Sequence, residues 1–231
     1  SSLNTVSSIG GELGKKGFYT AFFHGADNGS MGFEAFARTA GYTHYFGRTE
    51  YNEANPDNKD FDGHWGIWDE KFFQFFGNTL SGFQQPFAAA LFSLSSHHPF
   101  AIPAEYEGVF PKGNKPIRQC IGYTDNALKL FFEKVSKEPW YKNTLFVFTA
   151  DHTNSPERPE YETESGLFSV PVVFYQPGSD LKGFRKDVIA QQIDIMPTVL
   201  GYLGYDKPFV SFGCDLLNTP AEDTYAVNYI N

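Results

Sequence analysis

Cysteine is scarce in this chain: Cys120 and Cys214 are the only two among 231 residues. Two thiols cannot build a disulfide scaffold or a Cys-based zinc module. Long apolar runs are missing too. No stretch approaches the roughly 20 residues needed to cross a bilayer, and the start has no basic segment leading into an apolar one, as a signal peptide would. Positive charge is the third shortage, with 18 Lys plus Arg against 27 Asp plus Glu and a net charge of −9. A chain this acidic lacks the electrostatic footprint of a duplex nucleic-acid binder and is poorly suited to rest on anionic lipid. No repeat or low-complexity segment occurs. An initiator Met is absent as well: Ser1-Ser2-Leu3-Asn4 leads straight into an amphipathic stretch, which reads as a piece cut from a longer protein.

Aromatic rings are abundant, at 18% of residues with 25 Phe and 13 Tyr. They supply either a ring-filled core or a cleft for sugar or lipid. Apolar strands alternate with helices along the chain. Val6, Ile9 and Leu13 recur at helical spacing and stop at Lys15-Lys16-Gly17. Strands are expected over residues 18–23, 87–94, 144–149 and 170–175, the last with Pro171 near its start. Helices are expected over 31–40, 69–76, 117–137 and 189–203, the last interrupted at Pro197. Residues 49–64 and 101–116 read as loops. This order predicts one α/β domain: a mostly parallel sheet buried by helices on both faces.

In such sheets ligands bind beyond the carboxyl ends of the strands. Three strands end in titratable groups here: the first at His24 and Asp27, the second at His97 and His98, the third at Asp151 and His152. His24, His97, Asp151 and His152 are therefore expected on one edge of the sheet. A carboxylate beside a neutral imidazole can ligate one divalent cation, so Asp151-His152 is the candidate metal pair. Without context an Asp capping a turn beside a surface His fits as well. Adjacent residues leaving a strand diverge, so one of His97 and His98 serves the site. His24 is either a contact for an anionic substrate or a packing residue. His44 and His64 read as ordinary surface residues, and Asp194 as a carboxylate holding a loop at a helix terminus. Neither cysteine has a neighbouring base, which argues against a nucleophilic thiol.

The segment Thr149-Ala150-Asp151-His152-Thr153 resembles the ADH segment that sulfatases and their alkaline phosphatase superfamily relatives carry after a core strand. Ser96-His97-His98-Pro99-Phe100 resembles the SNHFPF-type segment of lipoteichoic acid synthases and related phosphoglycerol transferases, and alignment on Pro99 makes His97 the match to their active-site histidine. Phe22-Phe23-His24-Gly25, Trp65-Gly66-Ile67 with Asp69, Tyr123-Thr124-Asp125-Asn126-Ala127-Leu128 and Ile193-Asp194-Ile195-Met196-Pro197-Thr198 match in consistent order. The resemblance implies an alkaline phosphatase-like fold over residues 1–231, a single sulfatase-like domain truncated at its N-terminal side and at its C-terminal end. It implies one divalent metal, Mn, Mg or Zn, bound in part by Asp151 and His152 and incomplete or absent in this piece. It also implies a catalytic His97, with His24, Asp27, Trp65 and His98 toward the substrate.

The activity so implied is metal-dependent phosphotransfer or ester hydrolysis on an anionic, phosphoglycerol-type lipid or glycan. Its setting is the extracytoplasmic face of a bacterial membrane or the periplasm, anchored by transmembrane segments outside this chain. In the resembling family a threonine nucleophile and an upstream glutamate complete the metal sphere. Both are expected before residue 1, since Thr5 and Thr20 lie outside that motif, and the piece alone is expected to be inactive. Met31-Gly32-Phe33 stands where the synthases carry Phe-Trp-Asn-Arg, so sulfate ester hydrolysis remains an alternative. A non-catalytic binding domain on the same fold is a third reading, against which the joint presence of His97, Asp151 and His152 speaks.

Overall fold

The computed structural model describes residues 6–228; Ser1-Ser2-Leu3-Asn4 and Thr5 lie outside them. The chain divides into two compact units, one running to Pro139 and the other starting at Trp140.

The first unit is built on three parallel strands in the order β2-β1-β3, where β1 is Tyr19–His24, β2 is His44–Phe46 and β3 is Phe87–Phe92. Side chains of a strand alternate between faces, and β1 uses both. Ala21 and Phe23, each wholly buried, face a cluster made by Tyr51 of α3 (Arg48–Ala54) and Phe72 of α4 (Asp69–Ser81). Phe23 meets Phe76 edge to face at 4.7 Å. Phe22 points the other way, toward Phe33 of α2 (Phe33–Thr39) and Tyr42. Beyond α4 lies α5 (Ile117–Val135), whose Phe131 stacks on Phe76 at 5.6 Å. Gly77 allows that approach, because a Cβ there would sit 3.1 Å from Val135.

α1 is Ile9–Gly14, started by Ser8, whose hydroxyl accepts from the Gly11 amide at 2.9 Å. Thr20 is fully buried, and its hydroxyl accepts from the Thr43 amide at 3.1 Å. Two elements differ from the sequence expectation. β2 is new, and the expected loop over 49–64 begins with α3, a polar helix whose buried residue is Tyr51. Glu50 starts that helix by accepting from the Gly47 amide at 2.6 Å.

In the second unit β4 (Phe146–Thr149) and β5 (Val172–Tyr175) form an antiparallel pair, not a continuation of a parallel order. The linking residues 150–171 carry short 3-10 turns and no crossover helix, and a parallel connection needs a crossover. β4 is half-buried rather than fully buried. The expected helix over 189–203 shrinks to α6 (Ile195–Tyr202). Its start is set by Asp194, whose buried carboxylate accepts from the amides of Gln191 at 2.7 Å and Cys214 at 2.8 Å. Asp194 thus holds a loop at a helix terminus, as expected. Pro197 falls in the first turn, where its missing N–H costs no helical bond. Both cysteines are free thiols.

Candidate active site

The parallel register puts the exits of β1 and β3 side by side, with His24 opposite Phe92. His24 is buried between the rings of Phe33 and Phe92, at 4.2 and 5.4 Å. Its Nδ1 lies 3.2 Å from the Phe92 carbonyl. Burial pushes its pKa down, partly offset by that bond, so the ring is neutral near pH 7.

Past β1 the backbone meets an antiparallel turn formed by residues 61–67. The Ile67 amide donates to the Gly25 carbonyl at 3.0 Å. A Cβ on Gly66 would lie 2.3 Å from that same carbonyl, so only glycine passes here. Asp62 shapes the tip: one carboxylate oxygen accepts from the amides of His64, Trp65 and Gly66 at 2.8, 2.8 and 3.0 Å. The tip delivers Trp65 to the segment after β3. Its indole Nε1 donates to the His98 carbonyl at 2.6 Å, and its ring meets the His97 imidazole edge to face at 4.4 Å.

His97 and His98 are both exposed. The His97 Nδ1 lies 2.9 Å from the His98 carbonyl. A carbonyl only accepts, so Nδ1 donates in this bond and Nε2 is the ring nitrogen left for another partner. The His97 amide donates to the Leu94 carbonyl, and Phe100 follows at φ 64, a left-handed conformation that bulky residues seldom adopt. Asp27 is exposed and accepts from Arg48 at 3.1 Å. The Arg48 guanidinium lies 3.8 Å over the Phe61 ring. Arg48 lies two residues past the end of β2, which makes it a cation at the same strand-exit edge as His24. The sequence pattern did not single it out, because β2 is too short to announce itself.

In the second unit Asp151 and His152 leave β4 and are exposed. Gln192 holds the turn, donating to the carbonyls of Ala150 at 2.6 Å and Asp151 at 2.9 Å. His152 Nδ1 lies 2.7 Å from the Thr153 carbonyl, which places the proton there. Nε2 then faces an Asp151 oxygen at 3.3 Å. Two electron-rich atoms face each other at that separation unless a proton or cation sits between them. Ligands at about 2.0–2.2 Å from a zinc-like ion stand about 3.0–3.5 Å apart, so this donor pair fits two corners of a divalent-cation site. No group of three or more His, Cys, Asp or Glu side chains arranged for a metal occurs among the described residues.

The chain is similar to known proteins in sequence and in fold. The chain is 26% identical over 244 residues to lipoteichoic acid synthase 1 of Bacillus subtilis, covering 96% of this chain and 37% of that protein. It is 25% identical over 240 residues to a lipoteichoic acid synthase of Staphylococcus saprophyticus, covering 96% of this chain and 36% of that one. The chain therefore spans about a third of the length of these relatives. An alkaline phosphatase superfamily structure from Vibrio parahaemolyticus shares the fold with a TM-score of 0.78 at 24% identity, over 94% of this chain and 52% of that one. The Listeria monocytogenes lipoteichoic acid synthase structure does so at 0.77 and 24%, over 93% and 57%. The model of the Sulfatase family matches residues 1–205, and on that match the chain belongs to the sulfatase family.

Proposed function

We propose that the intact protein is a metal-dependent enzyme of the lipoteichoic acid synthase type, transferring or hydrolysing a phosphoglycerol group carried by an anionic lipid or glycan. The observation that carries the reading is the donor pair of Asp151 and His152, with Nδ1 committed to a carbonyl and Nε2 left 3.3 Å from a carboxylate oxygen. The similarity to lipoteichoic acid synthases supports the substrate class. A bound Mn, Mg or Zn ion would screen charge on the phosphoryl group and make a hydroxyl nucleophilic.

His97 presents Nε2 toward solvent from a ring fixed at Nδ1, as suits a group that gives or takes a proton at the reacting oxygen. Trp65 and His98 hold that ring in place, and Arg48, paired with Asp27, offers charge to an anionic headgroup. His24, buried against Phe33 and Phe92, packs this edge and does not reach the substrate. The proposed setting is the extracytoplasmic face of a bacterial membrane; no described helix of this chain is long and apolar enough to cross one.

Sulfate ester hydrolysis is the second reading. Met31-Gly32-Phe33 stands where the synthases are expected to carry Phe-Trp-Asn-Arg; Phe33 is packed against Phe22, His24 and Phe92, and none of the three side chains is a guanidinium that could grip a phosphate. The test is to supply the intact protein and Mn with phosphatidylglycerol and, separately, an aryl sulfate. Release of diacylglycerol supports the first reading. Sulfate release alone replaces it with the second.

A further inference from the structure

We propose that Asp69 is a positioning residue for His97, its buried carboxylate fixing the start of the loop that carries the imidazole. The proposal rests on the reading of His97 as the proton-transfer group. Asp69 is 2% exposed at the start of α4. Its two oxygens accept from the amides of Leu94 at 2.8 Å and Ser95 at 3.1 Å, and from the Thr124 hydroxyl at 3.3 Å. Its own amide donates back to the Ser95 hydroxyl at 3.0 Å. This one side chain ties the start of α4 to two segments far off in sequence, the exit of β3 and α5.

The route to His97 is short. Leu94 gives its N–H to Asp69, and its carbonyl accepts from the His97 amide at 3.0 Å. The turn bearing the imidazole therefore hangs on a residue whose other end is held by the carboxylate. No cation pairs with Asp69 among the described residues. The titratable groups around it are its neighbour Glu70, which pairs with Lys71 and Tyr106, and Cys120 and Tyr123 on α5. Burying a charge without a counter-ion is costly, and burial raises this carboxyl to about 6. Only a carboxylate offers acceptors on both oxygens to two converging amides. Asn would turn an NH2 group toward one of them.

The test uses Asp69→Asn and the milder Thr124→Val, in the intact protein. Amide hydrogen exchange at Leu94 and Ser95, the NMR signals of the His97 ring, bound Mn, kcat and KM are measured. For Asp69→Asn the expectation is faster exchange at both amides, a displaced His97 ring signal and unchanged Mn content. With them kcat should fall about 10–100-fold, as misplacement of a reacting group produces, and KM should change little. Thr124→Val is expected to shift the same signals less. If Asp69→Asn folds with both amides protected and the His97 signals of the wild type, the proposal is overturned. If Asp69→Asn does not fold, unchanged signals in Thr124→Val overturn it equally. If loop and ring move while kcat stays, positioning stands and the catalytic reading of His97 falls.

Discussion

The indole of Trp65 and the imidazole of His97 meet edge to face with centroids 4.4 Å apart, and both side chains bond to one acceptor, the carbonyl of His98. That carbonyl is the hinge of the loop. It takes the indole N–H from one side and the imidazole N–H from the other, so the ring that presents Nε2 is braced by a residue 32 positions earlier. Glycine at 66 and the three-amide cap on Asp62 exist, in physical terms, to bring Trp65 there.

Replacing Trp65 by Phe keeps a ring but removes the N–H donor, so the His98 carbonyl loses one bond worth about 1 kcal/mol. Trp65→Ala removes the edge-to-face contact as well, about a further 1 kcal/mol. Denaturant unfolding of the two variants is expected to show that graded loss. The turnover of the intact enzyme is expected to fall in the same order. Equal turnover in wild type, Trp65→Phe and Trp65→Ala would remove Trp65 from the site.

Gly66→Ala is expected to be worse than its size suggests. The added methyl would lie 2.3 Å from the Gly25 carbonyl and 2.7 Å from the Leu94 side chain. Backbone on one side and a core residue on the other leave little room to yield, so overpacking of about 1–3 kcal/mol follows. A lowered thermal midpoint checks this, together with faster exchange of the Ile67 amide, which donates to Gly25. A midpoint equal to the wild type would show that the 61–67 turn is free to shift.

Asp69 predicts a pH dependence with a definite sign. Burial raises its carboxyl from 3.8 to about 6, and the bonds from Leu94, Ser95 and Thr124 lower it only in part. A group whose folded pKa lies above its unfolded one contributes stability below the unfolded value and loses it as pH rises through the folded one. The window is therefore pH 4 to 6, and the ionised form costs about 3 kcal/mol at neutral pH. Asp69→Asn has no such titration. The stability of wild type relative to Asp69→Asn should fall between pH 4 and pH 7 in parallel urea unfolding series; a constant difference contradicts it.

Much of this was legible in the sequence where one physical signal dominated. The apolar runs of β1 and β3 and the long amphipathic pattern of α5 announce themselves, and the strand exits at His24 and His97 follow from them. Asp194 was legible because a carboxylate before a short apolar helix has few other uses. α3 was not, since Arg48–Ala54 is polar with a single buried ring, Tyr51, and amphipathic periodicity has nothing to register. Neither were the antiparallel pairing of β4 with β5, which joins residues on either side of a long loop, and the shortened α6, whose start is tied to Cys214 well beyond its end. The work of Asp69 was invisible for the same reason: its acceptors serve Leu94, Ser95 and Thr124, which lie 25 to 55 positions away.

The division of roles among Asp151, His152 and His97 makes the last prediction. At the proposed metal site Asp151→Asn would replace a charged ligand by a neutral one, and His152→Ala would remove the nitrogen that faces it. Each is expected to lower the bound divalent metal of the intact protein and to abolish turnover, because most of the several kcal/mol that a dication contributes at a phosphoryl group depends on its placement. Chelation of the wild type should reproduce the loss, and added Mn should restore the wild type and neither variant. His97→Ala is expected to differ. Its imidazole is exposed and bonded through Nδ1 to its own loop, so bound metal should stay at the wild-type ratio while the rate falls roughly 10²–10⁴-fold, the loss typical of a missing acid or base. Metal analysis and turnover on the three variants decide the matter. Loss of metal in His97→Ala makes His97 a ligand, and retention of metal and rate in His152→Ala moves the site elsewhere.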